Sequence, residues 1–205
     1  IASQTGFVKL PGKKPLRLPE KPKKISKELE PLTEQARKFK TVDEFIGTQG
    51  DVFFHATSKD LVSNIEKVGF VSDIGKRSQS ALIGQKGVFL YRGDKEAAEI
   101  FGQNLLREGK KPAILETKVV GKIFKSTDEF KSIRTLASDK KLINDLRSRG
   151  FVGIEGTELG QPVTFIFEPS AIKTKSQLTD IFNKAKQDPT KFDIEAATAF
   201  EKPRA

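Results

Sequence analysis

One histidine and no cysteine limit what this chain of 205 residues can do. His55 stands in the run Phe53-Phe54-His55-Ala56-Thr57-Ser58, a strand-like stretch that leads into a helix-capping residue. Without cysteine there is no disulfide and no thiolate nucleophile. The common zinc sites, which need several Cys or His ligands, are excluded too. A Ser-His-Asp arrangement stays arithmetically open with one imidazole, but no Gly-x-Ser-x-Gly elbow is present. Neither the glycine-rich dinucleotide fingerprint nor a Walker-type phosphate loop occurs. Any chemistry therefore runs through His55 or does without an imidazole. A lone histidine at such a position also has a purely structural use.

Charge narrows the choice of partners. The chain carries 37 Lys and Arg against 27 Asp and Glu, a net charge of +10. That balance favours approach to nucleic acid, anionic surfaces or polyphosphate ligands, or else reflects a solubilising basic tail. Lysines gather with Pro11, Pro15, Pro19, Pro22 and Pro31 in residues 1–32. Such sequence lacks the apolar area to offset the entropy of ordering, and predicts an extended basic arm. No apolar run approaches the roughly 20 residues that cross a bilayer, and no signal-peptide core is present. The chain opens on Ile1 and contains no methionine, which points to a processed fragment or a piece of a longer polypeptide.

The elements that must position His55 follow from periodicity and punctuation. Helical composition starts near Thr33. Thr41 and Glu44 spell a capping box for a short helix ended by Gln49-Gly50. Residues 51–55 read as a strand; Ser58 caps a helix over 59–68, with Leu61, Ile65 and Val68 at helical spacing and Gly69 as the stop. Residues 70–86 read as a loop, 87–91 as an apolar strand, and Asp94 as the cap of a helix over 95–106. A strand over 113–120 continues into 123–124, and Ser138 caps a helix near 139–149. Strands over 151–155 and 163–167 are joined by a Gly-rich turn, and 176–186 is a last helix. Short strands separated by both helices and turns predict an α+β fold, not a doubly wound sheet. The domain spans 33–187, between the arm (1–32) and a C-terminal tail (188–205).

Three pieces stand in order along this frame. The first is His55-Ala56-Thr57-Ser58. The second is Gly87-Val88-Phe89-Leu90-Tyr91, followed by Ala97-Ala98-Glu99-Ile100-Phe101. The third is Gly150-Phe151-Val152-Gly153-Ile154, then 161–173, which ends in Phe167-Glu168-Pro169-Ser170-Ala171-Ile172-Lys173. Together they resemble the ADP-ribosyltransferase fold on its diphtheria-toxin and poly(ADP-ribose) polymerase side. In particular they are similar to modules of phage and mobile-element polyvalent proteins, which often end in Phe-Asp-Pro-x-Gln-Ile-Lys. The resemblance covers about 50–175. It implies a split mixed β-sheet core with flanking helices, here behind an extended basic N-terminal arm.

The resemblance also implies roles. His55 would hold the nicotinamide ribose of NAD, and the backbone of Ala56, where the family has Gly, would pair with the nicotinamide amide. Thr57 completes this cofactor-binding piece. Phe89 would stack on nicotinamide and Phe101 would close its other face, with Tyr91, in phase with Phe89, replacing or assisting it; these rings are equally suited to a core. Lys76, Arg77 and Lys86 lie where the family has a lid and could meet the pyrophosphate, or form a solvated loop. The family's catalytic Glu falls on Val163. Gln161, two residues earlier on the same strand face, or Glu158 in the preceding turn, would have to assist the cationic ribose.

The function so implied is a mono-ADP-ribosyltransferase with NAD as substrate and a host protein or nucleic acid as acceptor. It would be a processed phage virion protein ejected into the host, so that it resides in the virion and then in the host cytoplasm. Its arm would meet DNA or other virion proteins. The alternative is a catalytically degenerate fold serving as a virion structural or DNA-binding protein. A third reading is a relative acting on an RNA 2′-phosphate, with Arg92 and Arg107 as its basic residues.

Overall fold

The computed structural model of the chain describes residues 30–71, 85–127, 131–158 and 160–187. In chain order the elements are α1 (Glu30–Arg37), α2 (Val42–Gly47), β1 (Val52–Ser58), α3 (Lys59–Val68), β2 (Val88–Arg92), α4 (Lys95–Arg107), β3 (Pro112–Val119) and β4 (Lys122–Lys125). Then follow α5 (Ile133–Ser138), α6 (Lys140–Ser148), β5 (Phe151–Glu158), β6 (Gln161–Ile166), a 3-10 turn (Pro169–Ala171), β7 (Ile172–Thr174) and α7 (Lys175–Gln187). The strands form one seven-stranded mixed sheet in the order β4-β5-β6-β2-β1-β3-β7. Among the described strands only β4 and β5 pair in parallel. The class is the predicted α+β, with helices flanking the sheet.

Local chemistry accounts for several of these elements. Thr41 and Glu44 form the capping box in both directions. Asp94 Oδ1 accepts from the Ala97 N–H at 2.8 Å and starts α4. Gly69 ends α3 at φ +91°, a conformation that favours glycine.

The sheet is nearly two sheets. β1 pairs with β3 along its whole length, from Val52↔Lys118 to Ser58↔Pro112. With β2 it pairs only at Phe53↔Arg92 and Phe54↔Tyr91. The rest of β2 (Val88, Phe89, Leu90) pairs with Ile166, Phe165 and Thr164 of β6. The halves join through the end of β2 and the ladder stops there.

Alternation of side chains gives β2 two distinct faces. Val88 and Leu90 join Phe53, Ile166, Ile65 of α3 and Phe70 in one core. Phe89 joins Ile154, Val163, Phe165 and residues of α5 and α6 in the other. Each such side chain contributes about 1.5–3 kcal/mol when fully buried. α4 packs on β1 and β3 at Gly102, where an added Cβ would make ordinary contact with Pro112, Ile114 and Ala56 at 3.4 to 3.8 Å. A third cluster unites α1, α2 and α7, with the Phe45 and Phe182 rings stacked at 6.1 Å.

Several boundaries differ from the sequence expectation. β1 continues to Ser58, so His55 is mid-strand and not at a strand end. Ser58 stands at the N-cap of α3, but its side chain makes no cap hydrogen bond. Residues 123–124 do not continue β3. Gly121 turns the chain at φ +138°, and β4 crosses to the far edge beside β5. Helix α5 was not anticipated, and α6 is capped by Asp139, whose Oδ1 accepts from the Lys141 and Leu142 N–H groups, not by Ser138. Glu30–Leu32, assigned to the arm, open α1, and Leu32 is buried. Residues 1–29, the 72–84 stretch with Lys76 and Arg77, and the 188–205 tail lie outside the described residues. Among the described residues no helix is long and apolar enough to cross a membrane.

Candidate functional site

Three separated pieces of sequence meet on the α5 face of the sheet. Phe89 and Tyr91 of β2 point to that face together, because residues two apart on a strand share a side. α4 lies over the β1–β3 half and α5 over the β5–β6 half. Between them is a cleft of ≈ 240 Å³. β2 contributes Phe89 and Tyr91; α4 contributes Ile100, Phe101 and Asn104; α5 contributes Ile133 and Arg134. The hairpin of β5 and β6 adds Glu158, Gln161 and Val163.

The apolar part of the cleft is aromatic. The Tyr91 and Phe101 rings are tilted neighbours, with centroids 6.4 Å apart and 36° between their planes. A third ring between two others needs about 7 Å, two layers of roughly 3.5 Å contact. A small outward shift of the half-buried Phe101 would admit one. Phe89 is buried, with its ring 4.9 Å from that of Phe165.

The polar end is built on the hairpin. Glu158 and Gln161 are a direct cross-strand pair, and Gly160 beside them turns at φ +79°. Arg134 Nε donates to Glu158 Oε1 at 2.7 Å. Glu158 Oε2 is buried and has no hydrogen-bond partner among the described residues. The Tyr91 phenol is pushed above its ordinary range, mainly by burial; Arg134 opposes this and Glu158 adds to it. It therefore stays protonated and able to donate. Aromatic walls with a few convergent polar groups suit a small planar ligand.

His55 lies on the other face, away from the cleft. Its Nδ1–H donates to the Phe89 carbonyl at 3.0 Å, and its ring stands edge-on to Phe70 at 5.2 Å. A carbonyl can only accept, so the partner assigns the proton to Nδ1. Burial lowers the imidazole pKa, and the bond to Phe89 works against that. The ring ties β1 to β2 where their ladder has stopped. Ala56 is buried under Gly102 of α4, and Thr57 is buried on the His55 side. The Gly93 N–H donates to the Val52 carbonyl at 2.8 Å, so alternation turns the backbone groups of Ala56 toward the splay.

Phe89, Tyr91, Phe101, Glu158 and Gln161 are thus brought together, while His55, Ala56 and Thr57 of β1 do not line the cleft, and His55 and Thr57 turn to the opposite face. Arg92 does not reach the cleft, being ion-paired with Asp51 and Glu155 on the opposite face, and Arg107 does not line it. Arg134, Asn104, Ile100 and Ile133 were not anticipated. The available signal for Arg134 was Ser132, whose Oγ accepts from the Thr135 N–H, ahead of Ile133, Leu136 and Ala137 at helical spacing. No group of three or more potential metal ligands occurs among the described residues. No protein-family model, no curated protein and no solved structure matches this chain.

Proposed function

We propose that this chain is a mono-ADP-ribosyltransferase-like protein that binds NAD with its nicotinamide end in the Tyr91–Phe101 cleft. One observation carries the reading: Phe89, Tyr91, Phe101, Glu158 and Gln161, singled out from three separate segments, line a single cleft. The interrupted pairing of β1 and β2 supports the split core of the ADP-ribosyltransferase fold.

In this reading the nicotinamide ring enters between Tyr91 and Phe101. The bond from nicotinamide nitrogen to ribose C1′ breaks, its electron pair leaves with nicotinamide, and C1′ becomes cationic. Glu158 or Gln161, facing one another at the hairpin end, assists that cation. The acceptor nucleophile then bonds to C1′ and gives up its proton. His55 acts here through the Phe89 carbonyl as a strut for β2, a different task from the ribose contact implied by the resemblance. The acceptor would be a host protein or nucleic acid, and the protein would travel in a phage virion before acting in the host cytoplasm.

The test is incubation with labelled NAD and host lysate, beside calorimetric titration of NAD. NAD binding with transferred label is expected, and loss of both in Tyr91→Ala. Absence of NAD binding would sink the proposal.

Val163 favours a second reading. It is buried in the cleft at the position where the family has its catalytic Glu, and Glu158 is already paired with Arg134. A degenerate fold that binds without transfer would then use the +10 charge on DNA. That reading expects a gel shift of DNA that weakens steeply with salt. No shift at low salt removes it.

A further inference from the structure

We propose that Glu158, held by Arg134, reads the exocyclic NH2 group of an aromatic ring that carries no anionic group and is bound between Tyr91 and Phe101. This rests on the NAD reading and divides its two candidates: Glu158 serves the ring, and Gln161, exposed at the hairpin end, is left to face the ribose. A neutral amide beside a cation helps less than a carboxylate, which suits slow transfer of single units.

The first support is charge. Arg134 and Glu158 pair at 2.7 Å, so the polar end carries no net charge. A ring bearing a carboxylate would face the negative charge of Glu158 and compete with it for Arg134. A ring without an anionic group, neutral like adenine or cationic like the nicotinamide of NAD, meets neither penalty.

The second support is hydrogen bonding. Oε1 is taken by the Arg134 Nε, while Oε2 is buried without a partner among the described residues. A buried carboxylate oxygen with no donor is costly, and a donor that reaches it forms a charge-assisted bond. The Tyr91 phenol, kept protonated by burial, offers the complementary donor. A ring with an NH2 beside an acceptor atom matches both. A primary carboxamide has two N–H donors, so a bond to the Ala56 backbone would not exhaust it.

The third support is size. A cavity of roughly 150 Å³ holds benzene. The ≈ 240 Å³ here fits one substituted ring or a fused pair, not a whole dinucleotide. NAD presents such a group at both ends: the nicotinamide carboxamide and the adenine amino group.

Calorimetry on the full chain separates the sources. Nicotinamide is compared with nicotinate, adenosine with inosine, and NAD is titrated alongside, for the parent chain and Glu158→Gln. At least about a tenfold preference for the NH2 partner is expected in one pair, and that pair names the ring. In Glu158→Gln the side-chain oxygen stays with Arg134 and its NH2 stands where Oε2 was, so the preference should close or reverse. Arg134→Lys, which loses the guanidinium fork, should narrow it. Thermal unfolding checks that each variant is folded. NAD binding without preference in either pair overturns this proposal and leaves the NAD reading standing. A preference unchanged in Glu158→Gln also overturns it. If neither NAD nor any of the four rings binds, both fall.

Discussion

On one face of β2, Arg92 bridges Asp51 at 2.9 Å and Glu155 at 2.7 Å while its guanidinium covers the Phe53 ring. On the other face, Arg134 reaches Glu158 beside Tyr91. Both pairs join an arginine to a carboxylate of β5, but their surroundings differ. Glu155 also accepts from Thr164 Oγ1 and has Lys125 within 3.9 Å. Glu158 has one oxygen satisfied and one buried without a donor among the described residues. The two faces of β5 therefore carry a many-partnered ion network on one side and an incomplete pair on the other. Arg92 Nε meets Glu155 as an ion pair without hydrogen-bond geometry, but both Glu155 oxygens have a cation or donor beside them, which leaves little for a ligand to do. The incomplete one lies in a cleft with aromatic walls, which is where binding chemistry has something to gain.

The largest effect that can test this contrast is Phe165→Ala. Phe165 is fully buried and its ring meets Phe89 beneath the cleft. Removing it should cost about 3–5 kcal/mol in urea unfolding. Phe101→Ala, on the cleft wall and only half-buried, should cost less than about 1.5 kcal/mol, since part of its area is already in water, and should weaken NAD binding. Equal destabilisation by the two would mean that the cleft is a packing flaw in the core and not a binding site.

A smaller effect separates the two arginines. Arg92→Ala strands Glu155, whose side chain is only 15% exposed, and should cost about 1–3 kcal/mol. Arg134→Ala breaks a pair at 41% and 26% exposure and should cost under about 1 kcal/mol. Urea unfolding of both variants measures the difference. Similar losses would make the two networks equivalent and remove the argument for an unfinished site.

Much of the cleft was legible because its residues belong to elements whose periods can be counted. Phe89 and Tyr91 alternate in phase, and Gln161 and Val163 share a strand face two residues apart; all four line the cleft. What sequence could not carry was partner and register. That His55 turns away from Phe89 and Tyr91 follows from the Phe54↔Tyr91 pairing, which no local pattern encodes. β4 leaves the line of β3 because Gly121 takes a positive φ and a Cβ there would meet Val152, both facts of tertiary packing. α5 has six residues, fewer than two turns, too few for a 3.6 period to stand out. Arg134, the one cation that lines the cleft among the described residues, went unseen with it.

The smallest effect expected is a pH dependence centred on the strut between the faces. His55 has its pKa lowered from 6.5, first by burial, with the Phe89 hydrogen bond opposing. Below its ordinary value the unfolded chain binds a proton that the native chain refuses. Stability then rises with pH across that window, is complete above about 6.5, and is lost as the pH falls below it. Carboxylates titrate in the same acid range, so the measurement is a difference. Urea midpoints for the parent chain and His55→Gln, whose amide can still donate to the Phe89 carbonyl, are compared from pH 8 to pH 5. The parent should lose more of its midpoint than the variant between pH 6.5 and 5. Parallel curves would mean that His55 takes up its proton without disturbing β2, and that the splay beside the cleft is held by the Phe54↔Tyr91 pairing alone.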